Sequence, residues 1–145
     1  MHSFKKEYNC QAEAIITEAV VLPVVEIRPG MAVPPHFYTD NAAWDTGAQF
    51  TFVSPRVVES LHLQPYSKGQ FMGIGGDQES YTYKLSVALP NGRIIQNLEV
   101  YCTDIDDYDL LLGMDIISQT DFLITNKDNK TIFQFRSPSQ GGIQL

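Results

Sequence analysis

The stretch "NAAWDTGAQFTFVS", Asn41 to Ser54, sets an acid, a hydroxyl and a glycine between apolar residues. Apolar letters on both sides describe a buried strand end, and a carboxylate is costly there unless it is hydrogen-bonded, paired or used. An Asp before Thr-Gly is also a good turn former, because its side chain bonds its own backbone two residues on. A bare D-T-G arises by chance in roughly one chain of this size in fifty, so Asp45 by itself decides nothing. The choice falls to the rest of the chain.

Composition narrows the classes first. The 145 residues carry a net charge of −7, with a pI near 4.7, which argues against nucleic acid and anionic membrane as partners, since both call for clustered Lys and Arg. The run "AVVLPVV" is too short to span a bilayer, contains a Pro and follows Glu18, not a basic segment. Cys10 and Cys102 do not amount to a disulfide framework. Reduced thiols and a cytoplasmic location are therefore expected. The length suits one domain, expected over residues 1–136 with a tail at 137–145.

Short β-type runs with turn punctuation dominate. "AVVLPVVEI" (19–27) reads as the first strand, its Pro23 suggesting an edge or a bulge. A long loop from 28 to 40 is expected to shape part of a cleft or of a dimer edge, with "HFYTDNAAW" running extended into Asp45. Ser54 followed by Pro55 predicts a capped helix over "PRVVESLHL" (55–63). The segment 69–89 reads as a glycine-tipped hairpin, and "PNGR" (90–93) turns it into a further strand, "IIQNLEVYC". "DLLLG" is a buried strand, "MDIISQT" a short helix, and "DFLIT" and "KTIFQF" two closing strands around "NKDN". The tail "SPSQGGIQL" begins like a linker.

Three separated pieces belong together: "DTGA" at 45–48, "GIGG" at 73–76 and "LLLGMD" at 110–115. The glycine turn begins 28 residues after Asp45, and Gly113 follows 68 after it, each in a strand context. In that order and spacing, the pieces resemble the retroviral-type aspartic proteases, the retropepsin-like family. The resemblance implies an all-β, closed acid-protease barrel with one or two short helices and one half-site per chain. Only one D-[ST]-G occurs here, so it also implies a homodimer in which Asp45 meets its twin. Two touching carboxyls share a proton and can act as base and acid at once, a pair for which aspartic proteases are the standing example. Carried over from the family, Thr46 locks the two loops together, Gly47 donates its N–H to the carboxylate and Ala48 completes the pattern. Met72, Gly73, Ile74, Gly75 and Gly76 match the flap that closes over a bound peptide. Leu111, Leu112 and Gly113 match the motif packed beneath the catalytic loop, and Asp115 suits the start of the helix that follows.

The activity implied is hydrolysis of peptide bonds in an extended polypeptide, without metal or organic cofactor. The alternative is a non-catalytic module of the same fold that grips a peptide or dimerises a larger assembly, although a pure binder has no need of Asp45, Thr46 and Gly47. Other motifs carry less. Gln78 stands where a dinucleotide fingerprint needs its third glycine, "TDIDDYD" (103–109) lacks the Gly and Glu of a calcium loop and reads as a solvated turn, and His2, His36 and His62 have no metal spacing. Trp44, larger than the aliphatic usual before the family's Asp, is expected in the core.

Overall fold

The computed structural model describes residues 3–24, 26, 28–73 and 75–144. Along it run β1 (Ser3–Glu7), β2 (Ile15–Pro23), β3 (Phe37–Trp44), β4 (Phe52–Val53), α1 (Pro55–Ser60), β5 (Ser67–Gly73) and β6 (Gly76–Ala88). They continue with β7 (Ile94–Cys102), β8 (Leu110–Leu112), α2 (Met114–Ile117), β9 (Asp121–Lys127) and β10 (Lys130–Arg136). The larger sheet has the order β2-β3-β8-β4-β7-β6-β5, and β2 pairs again with β6, so the pairing runs round on itself as in a barrel. A second sheet, β1-β10-β9, packs against it. No helix among the described residues is long and apolar enough to cross a membrane.

Period-2 alternation explains the smaller sheet. In β10 the inward side chains are Thr131, Phe133 and Phe135, all buried, while Gln134 faces out. Phe133 and Phe135 stack at 5.8 Å, and the Trp44 ring lies 5.2 and 4.9 Å from them. The indole N–H of Trp44 donates to the buried Thr17 hydroxyl at 3.0 Å, so the polar edge of the ring is satisfied inside. Trp44 is thus partly buried and packs against the core, and it joins the two sheets. Behind it, Val21, Val53, Val57, Leu85, Val87, Val100, Leu110, Leu112 and Ile116 are fully buried in the same cluster.

Several expected boundaries move. The first strand of the sequence reading starts at Ile15 and ends at Pro23, which pairs with Leu85; the bulge lies at Thr17/Ala19. Ahead of it stands β1, which the sequence reading left out. Only Phe4 of "SFKKE" gives an apolar signal, and it packs on Phe135 at 5.6 Å. Helix α1 stops at Ser60 instead of Leu63. His62 takes a left-handed φ of 51°, and the His62 and Leu63 N–H groups bond back to Glu59 and Val58 at 3.1 Å each, which is a Schellman closure. Ser54 does occupy the N-cap with extended backbone, but its hydroxyl makes no capping bond and is buried without a partner among the described residues.

The segment after β10 is stitched down, not loose. Ser139 Oγ and Gln140 N–H each donate to Asp121 at 2.6 Å, and Arg136 Nε does so at 3.1 Å. Ser137 is buried, with its hydroxyl on the Gln119 carbonyl at 3.0 Å. The Ser139 hydroxyl first, then the Gln140 N–H, hold the Asp121 carboxyl at about 2, below its ordinary 3.8, with Arg136 adding to them against the opposing effect of burial. A depressed folded-state value favours the ionised form, so this contribution to stability is complete above about pH 4 and is lost as pH falls toward about 2. In urea melts, the stability difference between the native chain and Asp121→Asn is therefore expected to be constant from about pH 7 to 5 and to vanish between about pH 4 and 2. A difference that persisted at the acid end would show that the carboxylate is not what holds the segment.

Candidate active site

Strand β3 delivers Asp45 to the surface at the point where its ladder ends. The Asp45 N–H bonds the Leu112 carbonyl at 2.9 Å, and the Ala48 N–H turns back to the Asp45 carbonyl at 3.2 Å. The Gly47 N–H donates to Asp45 Oδ1 at 2.8 Å. The side-chain turn expected of any Asp-Thr-Gly is therefore present, and it fixes how the half-buried carboxylate points. A Cβ on Gly47 would stand 3.2 Å from that oxygen, so glycine keeps the approach open.

The far end of the loop hangs on β8 and α2. Asp115 accepts from Thr51 twice, N–H to Oδ2 at 2.9 Å and hydroxyl to Oδ1 at 2.7 Å. Thr51 Oγ1 in turn accepts from the Gly113 N–H at 3.2 Å, and the Met114 N–H bonds the Ala48 carbonyl at 2.8 Å. Asp115 does sit in the first turn of α2; its larger work is to hold the loop. Gly113 leaves no room for a side chain, because a Cβ would lie 2.9 Å from the Ala48 carbonyl oxygen and 2.6 Å from the Phe50 carbonyl carbon. Leu112 is fully buried behind the loop, while Leu111 looks into the cleft.

Over the loop, β5 and β6 form the hairpin, with Gly73 paired to Gly76. At the hairpin tip Gly76 takes a positive φ, +108°, a backbone conformation that glycine adopts without strain. Ile74 lies outside the described residues. Met72 points away from the sheet and is 77% exposed. Between hairpin and loop lies a cleft of about 710 Å³ that brings together Asp45, Gly47, Ala48, Met72, Gly73 and Leu111. Thr46 is exposed beside it and is not among its lining. Gly75, Gly76, Leu112 and Gly113 are likewise not among its lining.

The sequence reading passed over the aromatic floor. Phe50, Phe52 and Phe71 line the cleft, with Phe52 against Phe71 at 4.8 Å and both near Tyr101, at 5.8 and 5.3 Å. The i, i+2 spacing of Phe50 and Phe52 was the available signal. The 103–109 segment is not simply a solvated turn. Ile105 is buried and, with Asp104, lines the cleft. Asp109 is buried, accepts from the Thr39 hydroxyl at 2.6 Å and pairs with Arg56. A buried carboxylate needs such partners, and they come from β3 and α1, far away in sequence. No described residue of the 28–40 segment lines the cleft. Among the described residues no group of His, Cys, Asp and Glu is placed to hold a metal, and Cys10 and Cys102 are unpaired.

An Asp-bearing loop clamped by a hydrophobic-Gly strand and roofed by a glycine hairpin, on a mostly β fold, defines the class of retropepsin-like aspartic proteases. The chain belongs to the family described as gag-polyprotein putative aspartyl protease, whose model matches residues 40–119, more than half its length. That span holds the loop, the hairpin and the Gly113 motif. Among solved structures the fold is similar to EIAV protease complexed with the inhibitor HBY-793, at 20% identity and a TM-score of 0.53, covering 77% of this chain and 90% of that one. Also similar are the simian foamy virus (mac) protease, at 23% identity and 0.46 over 72% of this chain and 92% of that one, and a retropepsin-like aspartic protease from Rickettsia conorii, at 15% and 0.46 over 91% and 92%. No curated protein matches the chain in sequence.

The clamp makes a sharp contrast between two glycines. Gly113→Ala forces a methyl into backbone carbonyls that cannot swing aside, and is expected to destabilise the chain by about 2–3 kcal/mol. Gly75, with nothing within 4 Å of a Cβ, is expected to accept alanine within about 0.5 kcal/mol. Urea denaturation of the two variants checks this, and equal effects would remove the clamp from the account.

Proposed function

We propose that the chain is an aspartic endopeptidase that acts as a homodimer, hydrolysing peptide bonds between two Asp45 carboxyls. The observation that carries this reading is the Asp45 carboxylate, oriented by the Gly47 N–H at the mouth of a roofed cleft, in a chain with one D-T-G. A second copy supplies the second carboxyl. One carboxylate takes a proton from a water, the partner carboxylic acid gives its proton to the scissile carbonyl, and the water oxygen adds to the carbonyl carbon. The resulting gem-diol then collapses as the protonated carboxyl gives its proton to the amide nitrogen, the C–N bond breaks, and a hydroxyl proton returns to the pair. The exposed Thr46 is where the two loops lock together across the two-fold axis. The substrate is an extended polypeptide that lies between hairpin and cleft floor as an added strand, its side chains meeting Phe50, Phe52 and Leu111. Residues 1–136 form the protease unit in this reading, with 137–145 as its tail.

The test is cleavage of denatured casein and of a fluorogenic peptide. Asp45→Asn is expected to keep the circular dichroism spectrum and to lose cleavage, because an amide can neither share nor surrender the proton. Specific activity is expected to fall on dilution as dimers part, and to be bell-shaped in pH, because the pair must hold a single proton. Cleavage by the Asn variant at the native rate, or full specific activity in a species that sediments as a monomer, would overturn the reading.

A further inference from the structure

Tyr101 stands on β7 opposite Thr82 of β6, yet its side chain reaches β5, one strand further out in the sheet. Its hydroxyl donates to the Gln70 carbonyl at 3.2 Å. Its ring meets Phe71 at 5.3 Å. The crossing is possible because of two small residues. Ser80 stands opposite Gly69, on the face that Thr82 shares with Tyr101. At Gly69 a Cβ would lie 2.6 Å from the Tyr101 hydroxyl oxygen and 2.7 Å from the ring. Gly69 is not at a turn and has no positive φ; the ring explains why a mid-strand residue has no side chain. From the other side the same ring packs on Phe50 at 5.4 Å and Phe52 at 5.8 Å, at the two ends of the segment that enters β4 from the Asp45 loop.

Among the described residues β5 is the outer strand of its sheet, paired only to β6. Such an arm is held on one side and is free to lift on the other. We propose that Tyr101 is a positioning residue for the hairpin: its hydroxyl and ring latch the β5 arm to the floor of the cleft and so set how far the roof stands above Asp45. The latch couples loop to roof, since one side chain touches both. Aromatic packing at Phe71 holds the arm down, and the hydrogen bond to Gln70 supplies register along the strand.

This rests on reading the hairpin as the lid of a peptide-cleaving cleft, so the experiment has an arm that does not depend on cleavage. Amide hydrogen exchange is measured on the full chain for native protein, Tyr101→Phe and Gly69→Ala. Tyr101→Phe deletes one hydroxyl and keeps the ring, and is expected to speed exchange of the 68–73 amides about five-fold, the worth of one neutral hydrogen bond. The β10 amides serve as the global reference and are expected to hold. Gly69→Ala displaces the ring and is expected to have at least the same effect on the 68–73 amides. In peptide cleavage, Tyr101→Phe is expected to raise KM several-fold with kcat little changed, because a lifted roof weakens strand addition before it touches the carboxyls. Exchange at 68–73 equal to native, or rising in step with β10, would overturn the latch whether or not the native chain cleaves peptides. A latch seen by exchange in a chain that cleaves nothing would instead overturn the proteolytic reading alone.

Discussion

The grip of Asp115 on both the N–H and the hydroxyl of Thr51 is the constraint from which the site takes its shape. A loop that projects an acid toward solvent has few contacts of its own, and its conformation must be imposed from beneath. Hydrogen bonds to an ionised acceptor are among the strongest available, about 1.5–3 kcal/mol each. Two of them converge on one residue here. Thr51 passes the restraint on through its hydroxyl to the Gly113 N–H, and Gly113 brings β8 close enough for Met114 to reach the Ala48 carbonyl. The absence of a side chain at 113 is what allows the whole stack to close.

Trp44 extends the same logic downward. Its neighbour in sequence is the acid; its neighbours in space are Phe133 and Phe135 of the second sheet. The register of β3 against β2 and β8, with Trp44 opposite Ile15 and Leu112, is thereby locked by packing as well as by the ladder. A one-residue slip of β3 would turn Trp44 out and Asp45 in, a double loss of a packed aromatic and a solvated carboxylate. The bulky aromatic before the acid is thus a register pin for the strand that carries it.

What the sequence made legible follows the range of each signal. The Asp45 loop, the glycine hairpin, the Asn-Gly turn and the buried Leu110–Leu112 strand are local patterns, and the structure has them where they were read. Features that depend on distant partners were not legible. β1 has one apolar anchor and becomes a strand because β10 offers it an edge. Asp109 looked like one more surface acid in "TDIDDYD", and only the fold brings Thr39 and Arg56 to it. Ser54 had the right letter for a cap, but burial turned its hydroxyl to no use. The role of Gly69 has no local signal, because nothing in the letters says that Tyr101 will arrive from two strands away.

Floor and roof of the cleft are consequently built to different stiffness. The floor is held by backbone and carboxylate hydrogen bonds from β8 and α2, whose residues Leu110, Leu112 and Ile116 are fully buried; moving it means disturbing the core. The roof is a two-strand arm whose tip carries one obligatory glycine φ, at Gly76. Its outer strand meets the body through Tyr101 and Phe71. Local opening draws on the regions with fewest buried contacts and most exposed backbone bonds, which here means the arm and not the loop. The proposed proteolytic reading calls for that division, because a carboxylate doing chemistry tolerates little displacement while a lid admitting a polypeptide must be displaced.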